Sequence, residues 1–443
     1  MSNDGQLLGV ALIIRHGDRQ EFWQNPDTYS PTATQLTPLG NQQEFQLGST
    51  LRSLYLNASS PSYIANISTD LFDQNQIYVR ADFGGEDMVI YDSCVSVTQG
   101  MWPVTSSNNI TIANGTTIVA PLGGYQYVPV DAVDPDEDVS LEGFDDCNTF
   151  DDHTTAFYNS TAFQQKAQES ADFLNALKPY LGGRSNSLQN MWNIYDYVNV
   201  QSVHNSTFAQ ELPSTFEAQA RDLANWHEYN VFSSSNLGGI GNIAAQAMLP
   251  TILVDLSDIA NSSNPTLLTI TEISYKPFLS LFNMTGVAAQ NPELAGLVNY
   301  AAAVALEVRQ SSSGQPTIRF NFKNGTDEDF VTYNFLNQNG DVPMSTFVDN
   351  LAPYAVNTTA DWCSVCSNSQ DRGCAALTLA EDQGRASAHT RISPVGAGFL
   401  GAGLTVAVSL LMLGALAFFG FLSFGKRRHS RKIHSDDELE LRK

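Results

Sequence analysis

The apolar positions of this chain follow two periods in turn. Gly9–Ile14 (GVALII) is an unbroken apolar run, which predicts a strand buried on both faces. From Leu36 to Leu56 the period lengthens, and Phe45, Gly48, Leu51 and Tyr55 recur at helical spacing. Thr37 stands as an N-cap and Pro38 in the first turn. Gln76–Phe83 predicts a second strand and Asp87–Trp102 a second helix. Four helical segments then follow with few strand signals between them: Thr161–Tyr180, Leu188–Val198, Ser214–Asn230 and Ile240–Ile259. Strand patterning returns at Thr266–Ser274, with a short helix from Lys276 and strands near Ala302–Val308, Thr317–Lys323 and Phe330–Phe335. Strands alternating with helices predict an α/β core. We assign that core to residues 1–149 and 259–360, interrupted by a mostly helical insertion at 150–258.

Beyond the last strand the composition changes. Residues 361–394 are polar, Ser-rich and Cys-containing, as a stalk would be. Residues 395–425 are uncharged and rich in Leu, Ala, Gly and Phe, which is more than the ~20 apolar residues a bilayer-spanning helix needs. The tail 426–443 opens with Lys426-Arg427-Arg428 and ends acidic; the basic cluster places it in the cytoplasm by the positive-inside tendency. The large domain then lies outside the cytoplasm, at the cell surface or in a lumen. Ten Asn-x-Ser/Thr sequons agree: Asn57, Asn66, Asn109, Asn114, Asn159, Asn205, Asn261, Asn283, Asn324 and Asn357. The first residues show no basic region ahead of an apolar segment, and cleavage after Ile14 would remove the strand that carries Arg15. We therefore expect the natural start of the protein to lie upstream of Met1, the rival arrangement being a tail anchor with the domain in the cytosol.

Charge narrows the partners. Lys and Arg number 22 against 46 Asp and Glu, a net charge of −24. Such a surface repels nucleic acid, and it makes any anion-binding pocket a local positive island. Five cysteines suit an oxidising compartment, and three of them fall in Cys363–Cys374 without zinc-site histidines. This reads as disulfides with one thiol left over and neither a metal nor a cofactor; spacing does not set the pairing or the oligomeric state.

The charge at the end of the first strand has a chemical use. Strand ends at the carboxyl edge of an α/β sheet are where ligands bind. Arg15-His16-Gly17-Asp18-Arg19 brings two guanidinium forks, suited to phosphate oxygens, beside an imidazole able to attack phosphorus. Gly17 leaves room for a ligand to approach. This motif, the Leu36–Tyr55 helix with its Leu-Thr-x-x-Gly start, Ile77–Phe83 carrying Arg80, and the segment from Asn236 resemble the histidine acid phosphatases, the branch of the histidine phosphatase superfamily that includes phytases and lysosomal-type acid phosphatases. The resemblance covers about residues 7–360 and is densest in the first third. It implies a three-layer phosphoglycerate-mutase-like core with an inserted helical cap. It implies that His16 forms a phosphohistidine while Arg15, Arg19 and Arg80 hold a phosphorylated small molecule.

The resemblance also implies a histidine–aspartate pair that protonates the leaving alkoxide. That pair belongs at the end of the Thr266–Ser274 strand, where this chain has Ser274 and Tyr275, followed by Lys276. After Arg80, where the family carries a second arginine, stand Asp82 and Glu86, which lower the positive potential of the pocket. General acid catalysis contributes roughly 10²–10⁴-fold. Two readings follow. The first is a membrane-anchored phosphomonoesterase with impaired acid catalysis, in which Glu272, Tyr275, Asp18 or Glu21 is the available substitute donor. The second is a degenerate phosphatase that binds phosphorylated or anionic ligands without turnover. A purely structural glycoprotein ranks below both. The other six histidines, including His204 and His227, are expected in structural or surface roles.

Overall fold

Alternate residues of the first strand feed two different cores. The computed structural model describes residues 5–380. β1 (Gln6–Arg15) buries Val10, Leu12 and Ile14 on one face, among residues of the helices Pro38–Tyr55 and Val89–Met101. Ala11 and Ile13 point the other way, into a core shared with the helix Ile243–Ala260. The strand is two-sided because helices cover both faces of the sheet, as its unbroken apolar run requires.

The remaining strands are β2 (Ile77–Asp82), β3 (Asn109–Thr111), β4 (Thr117–Val119), β5 (Asp131–Val133), β6 (Leu268–Ile273), β7 (Ala303–Gln310), β8 (Pro316–Lys323), β9 (Val331–Tyr333) and β10 (Val342–Pro343). The main sheet runs β10–β8–β7–β1–β6–β2–β5, with β9 paired to β8; β3 and β4 form a separate exposed hairpin. β1, β6, β2 and β5 are parallel, and the strands on the other side of β1 are antiparallel. Register pairs Arg15 with Ile273 and Glu272 with both Ile14 and Ala81. The segments that leave β1, β2 and β6 therefore emerge side by side at one carboxyl edge.

Local signals hold the first helix in place. Thr37 caps Pro38–Tyr55, its hydroxyl accepting from the Gly40 amide at 3.1 Å. Gly48 and Gly100 let the two helices on this face touch backbone to backbone. A Cβ at Gly48 would lie 2.1 Å from the Val97 carbonyl oxygen, and one at Gly100 would lie 2.2 Å from that of Phe45.

Between β5 and β6 the chain is helical, with Asn148–Tyr158, Thr161–Leu177, Met191–His204, Ser206–Glu211, Phe216–Val231 and Ile243–Ala260. The last of these packs on β1 and β7, so it belongs with the sheet rather than with an insertion reaching to residue 258. Among the described residues it is also the helix long and apolar enough to cross a membrane (240–260), but it is a core element.

The segment expected as a stalk from residue 361 is in its first part docked on the domain, which forms one unit to Thr378. Trp362 is fully buried and donates to the Gly143 carbonyl at 2.8 Å. Cys366 is bonded to Cys147, Cys363 to Cys374, and Cys94 is the buried free thiol. A crosslink closing 219 residues of sequence is of the kind that stabilises by about 2–4 kcal/mol or more. Polar composition did not reveal this docking because its energy comes from one tryptophan, a disulfide, and Arg372, which donates to the Pro135 and Glu142 carbonyls. The expected membrane helix 395–425 and tail 426–443 lie outside the described residues.

Candidate functional site

The turn after β1 is held by its own backbone and by the neighbouring helix. His16 is completely buried, and its Nδ1 lies 2.8 Å from the Gly17 carbonyl oxygen. A carbonyl can only accept, so Nδ1 carries the proton and Nε2 the lone pair. Burial pulls the imidazole pKa down to about 3, with Arg15 and Arg19 adding to it against the opposing pull of Glu86. His16 is thus neutral at ordinary pH, the form a nucleophile needs. Gly17 is bare for a different reason from the one expected. A Cβ there would lie 2.5 Å from the Gly40 carbonyl oxygen, so its missing side chain serves packing against the capped helix rather than ligand approach.

What faces His16 Nε2 is a carboxylate of the same chain. Glu86 Oε2 lies 3.3 Å from Nε2 and 3.5 Å from Arg19 Nε, and Glu86 Oε1 lies 3.9 Å from Lys276 Nζ. All four side chains are buried. Burial works to raise the Glu86 carboxyl, but His16, Arg19, Lys276 and Arg15 outweigh it and hold the group below the usual carboxylate range. An anion therefore occupies the hollow over the imidazole.

The arginines are shared out. Arg19 makes a two-pronged pair with Asp196 at 2.8 and 3.3 Å and lies 4.2 Å over the Phe22 ring. Burial opposes its charge, yet Asp196 leads the groups that raise its pKa above the ordinary arginine value. Arg15 donates to the Val298 carbonyl and stacks 4.5 Å over Tyr300 and 5.5 Å over Tyr275. Arg80 does not join them, contrary to expectation. It bonds Thr251 at 2.7 Å and both Asp138 and Ser140 at 3.0 Å. The reason is the pleat. Ile77, Val79 and Ala81 face the helix pair, so Arg80 points to the opposite face, where Thr251 of the helix Ile243–Ala260 meets it. Lys276, considered from sequence only as a failed proton donor, supplies the further cation beside Glu86.

Ser274 and Tyr275, expected at the proton-donor position, are neutral groups. Ser274 is buried with its hydroxyl unbonded. Tyr275 donates to Glu228 at 2.7 Å, accepts from Gln24 at 3.3 Å and stacks on Trp192. Burial and Glu228 push its phenol well above the usual range, which makes it a poorer acid. The other substitutes are engaged elsewhere. Asp18 pairs with His204 at 2.8 Å and accepts from Thr37, and Glu21 pairs with Arg184. Glu272 lies on the far face of β6, where it and Glu44 are fully buried and both have all oxygens unbonded. Burial raises both carboxyls well above the usual range.

A cavity of about 270 Å³ adjoins the hollow and is lined by Arg15, Trp192, Tyr195, Asp196, Arg221 and Tyr300 among others. Tyr300 also lies against His16, the ring centroids 5.5 Å apart. Sequence reasoning missed Asp196 and Tyr300. A lone acid four residues after Trp192 on an otherwise apolar helix face was the available signal for Asp196; Tyr300 offered none. Among the described residues no group of three or more His, Cys, Asp or Glu is placed to hold a metal ion.

The fold and the His16 turn define a histidine phosphatase domain. The sequence model of the histidine phosphatase superfamily (branch 2) matches residues 20–267, more than half of the chain, and the chain belongs to that family. Its likeness to bovine lysosomal acid phosphatase is 25% identity over 332 residues, 72% of this chain and 71% of the relative. Human prostatic acid phosphatase is 25% identical over 227 residues, 49% of this chain and 53% of the relative, so the chain spans about half the length of that protein. The phytase of Hafnia alvei, solved in complex with myo-inositol hexakis sulphate, superposes with a TM-score of 0.55 at 13% identity over 82% of this chain and 99% of the phytase. The structural likeness is one of fold.

Proposed function

We propose that this chain is a catalytically degenerate histidine phosphatase domain, which keeps the oxyanion-binding turn but does not turn over phosphate monoesters. One observation carries the reading: the Glu86 carboxylate lies 3.3 Å from His16 Nε2, the atom that would attack phosphorus. A phosphoryl group brought there meets a like charge at close range, which costs binding instead of supplying it. The neutral Ser274 and the Glu228-bound Tyr275 support it further, because an alkoxide has nothing to take its proton from. Loss of Arg80 to Asp138 and Ser140 removes one of the three guanidiniums the family would use.

The competing reading, slow hydrolysis through a phosphohistidine, is favoured by the neutral His16 with its Nδ1 tied to Gly17. Aryl phosphates separate the two, since their leaving groups need no acid. At acid pH, wild type and His16→Ala are expected to release phenol at the same background rate. Hydrolysis by wild type well above the His16→Ala rate overturns the degenerate assignment.

In this reading the domain is extracytoplasmic and tethered by residues 395–425. Two disulfides support it, as does the exposure of eight of the ten sequon asparagines; Asn283 and Asn324 are half-buried. A mass shift on treatment with an N-glycosidase is the expected result, and an unmodified mass argues for the cytosolic arrangement.

A further inference from the structure

Three nitrogens of the opening turn end without a hydrogen-bond partner: Arg15 Nε, His16 Nε2 and Arg19 Nε, all buried. Both oxygens of Glu86 are in the same state. Its contacts at 3.3, 3.5 and 3.9 Å are charge contacts, longer than hydrogen bonds to an ionised group, which run about 2.7–2.9 Å. The mismatch has a geometric cause. A carboxylate is flat and offers two oxygens on one side, whereas His16, Arg19 and Lys276 approach Glu86 as three separate nitrogens. The imidazole is worst served. Its Nε2 lies 3.3 Å from another acceptor and makes no hydrogen bond. Buried polar groups are rarely left so, because each unmet donor or acceptor costs its full desolvation.

A tetrahedral oxyanion fits the same nitrogens better. Its four oxygens can reach Arg19 and Lys276 separately, with Arg15 as a further charge in the same field. Its central atom, rather than an oxygen, can face the Nε2 lone pair. Lys276 stands in for the cation that Arg80 withdraws.

The segment that carries Glu86 is built to bring it in closely. Gly84 and Gly85 pass against Pro135 and Pro31, where a Cβ would lie 2.6 and 2.4 Å from the proline Cγ atoms. The Asp87 amide closes the turn onto the Gly84 carbonyl at 2.9 Å, with Asp87 at φ +61°. That left-handed conformation is one a non-glycine residue holds at a cost.

We propose that the hollow formed by His16, Arg19 and Lys276 is a latent site for a tetrahedral oxyanion, and that Glu86 is its built-in competitor, which such an anion must displace. This rests on the assignment of the domain as degenerate, but it is tested by binding and not by turnover.

The probe is inorganic phosphate, titrated by calorimetry and by thermal shift into the full chain, with acetate as a flat control. Glu86→Ala is expected to bind phosphate more tightly than wild type by roughly 10- to 1,000-fold, the range over which one neighbouring charge shifts a titration. Acetate should gain less. Adding Lys276→Met to Glu86→Ala should take most of that gain away. Should Glu86→Ala fail to fold, Glu86→Gln keeps the shape, loses the charge and is expected to change affinity in the same direction. Equal phosphate affinity in wild type and both Glu86 variants overturns the proposal, and so does a gain that Lys276→Met leaves intact. Aryl phosphate hydrolysis by wild type would sink the degenerate assignment alone; failure of the Glu86 variants to gain phosphate would sink this inference alone.

Discussion

Glu86 and Glu272 are both buried, both lack a hydrogen bond at either oxygen, and both sit near the carboxyl edge of the parallel strands, yet they hold their protons differently. Around Glu86 stand His16, Arg19, Lys276 and Arg15, and the carboxyl is held below its ordinary pKa. Around Glu272 no cation offsets burial, and the carboxyl is raised well above it, as is that of its neighbour Glu44. Burial alone makes a glutamate neutral; it takes surrounding cations to keep one charged. The one that stays charged is the one set among cations, and those cations explain why Glu86 is held as an anion. Glu228 is a third case. It accepts from Tyr29 and Tyr275 and lies 2.7 Å from His227 Nδ1, so its oxygens are met by hydrogen bonds rather than by cations.

The largest expected effect in breaking this comparison comes from Glu86→Gln. It leaves Arg19 and Lys276 short of a counter-charge and should destabilise the protein by about 3 kcal/mol at neutral pH. Urea denaturation measures it. The depressed carboxyl contributes stability above its unfolded-state pKa and loses it as pH falls through the folded value, so the penalty should shrink in acid.

Glu272→Gln should do the opposite. Wild type must hold a proton on this carboxyl at neutral pH, and an amide does not need one. The variant is expected to be the more stable at neutral pH by about 1.4 kcal/mol for each pH unit above the ordinary carboxylate pKa, the gain fading as pH falls to that range. A loss of stability at neutral pH would mean that Glu272 is charged and has an unseen partner.

Tyr275→Phe removes one of three groups serving Glu228 and should cost about 1 kcal/mol, with no change in any phosphate-dependent signal. A change in that signal would return Tyr275 to the chemistry.

At pH 6 the smallest effect belongs to His16. Its folded pKa is depressed to about 3 while the unfolded imidazole titrates near its ordinary 6.5, so the unfolded chain takes up a proton that the folded one refuses. Stability attributable to His16 is therefore lost as pH falls between those values, by about 0.8 kcal/mol at pH 6. The difference in melting temperature between wild type and His16→Gln, followed across that range, isolates it from the carboxylates.

Much of this was legible in the sequence. The apolar run before Arg15 specified β1 and its burial on both faces, and Thr37-Pro38 specified the start of the next helix, because backbone period and capping act over a few residues. That Ser274-Tyr275 is not a His-Asp pair was equally plain, since it depends on residue identity alone. The four helices read between residues 150 and 258 are present, but Asn148–Tyr158 and Ser206–Glu211 were missed, and the last of the four packs on the sheet, because an apolar helix carries no mark of which surface it covers.

Residue identity and local period thus determined the family, the strands and the nucleophile candidate. Tertiary structure alone decided where each charge is spent. Arg80 was expected in the site by its type and its strand, but the β2 pleat turns it to Asp138 and Ser140. Glu86 was legible as an unfavourable charge, not as the occupant of the hollow. Electrostatic pairing depends on distances of a few ångströms between segments that lie tens to hundreds of residues apart, and no local pattern in a chain encodes those distances.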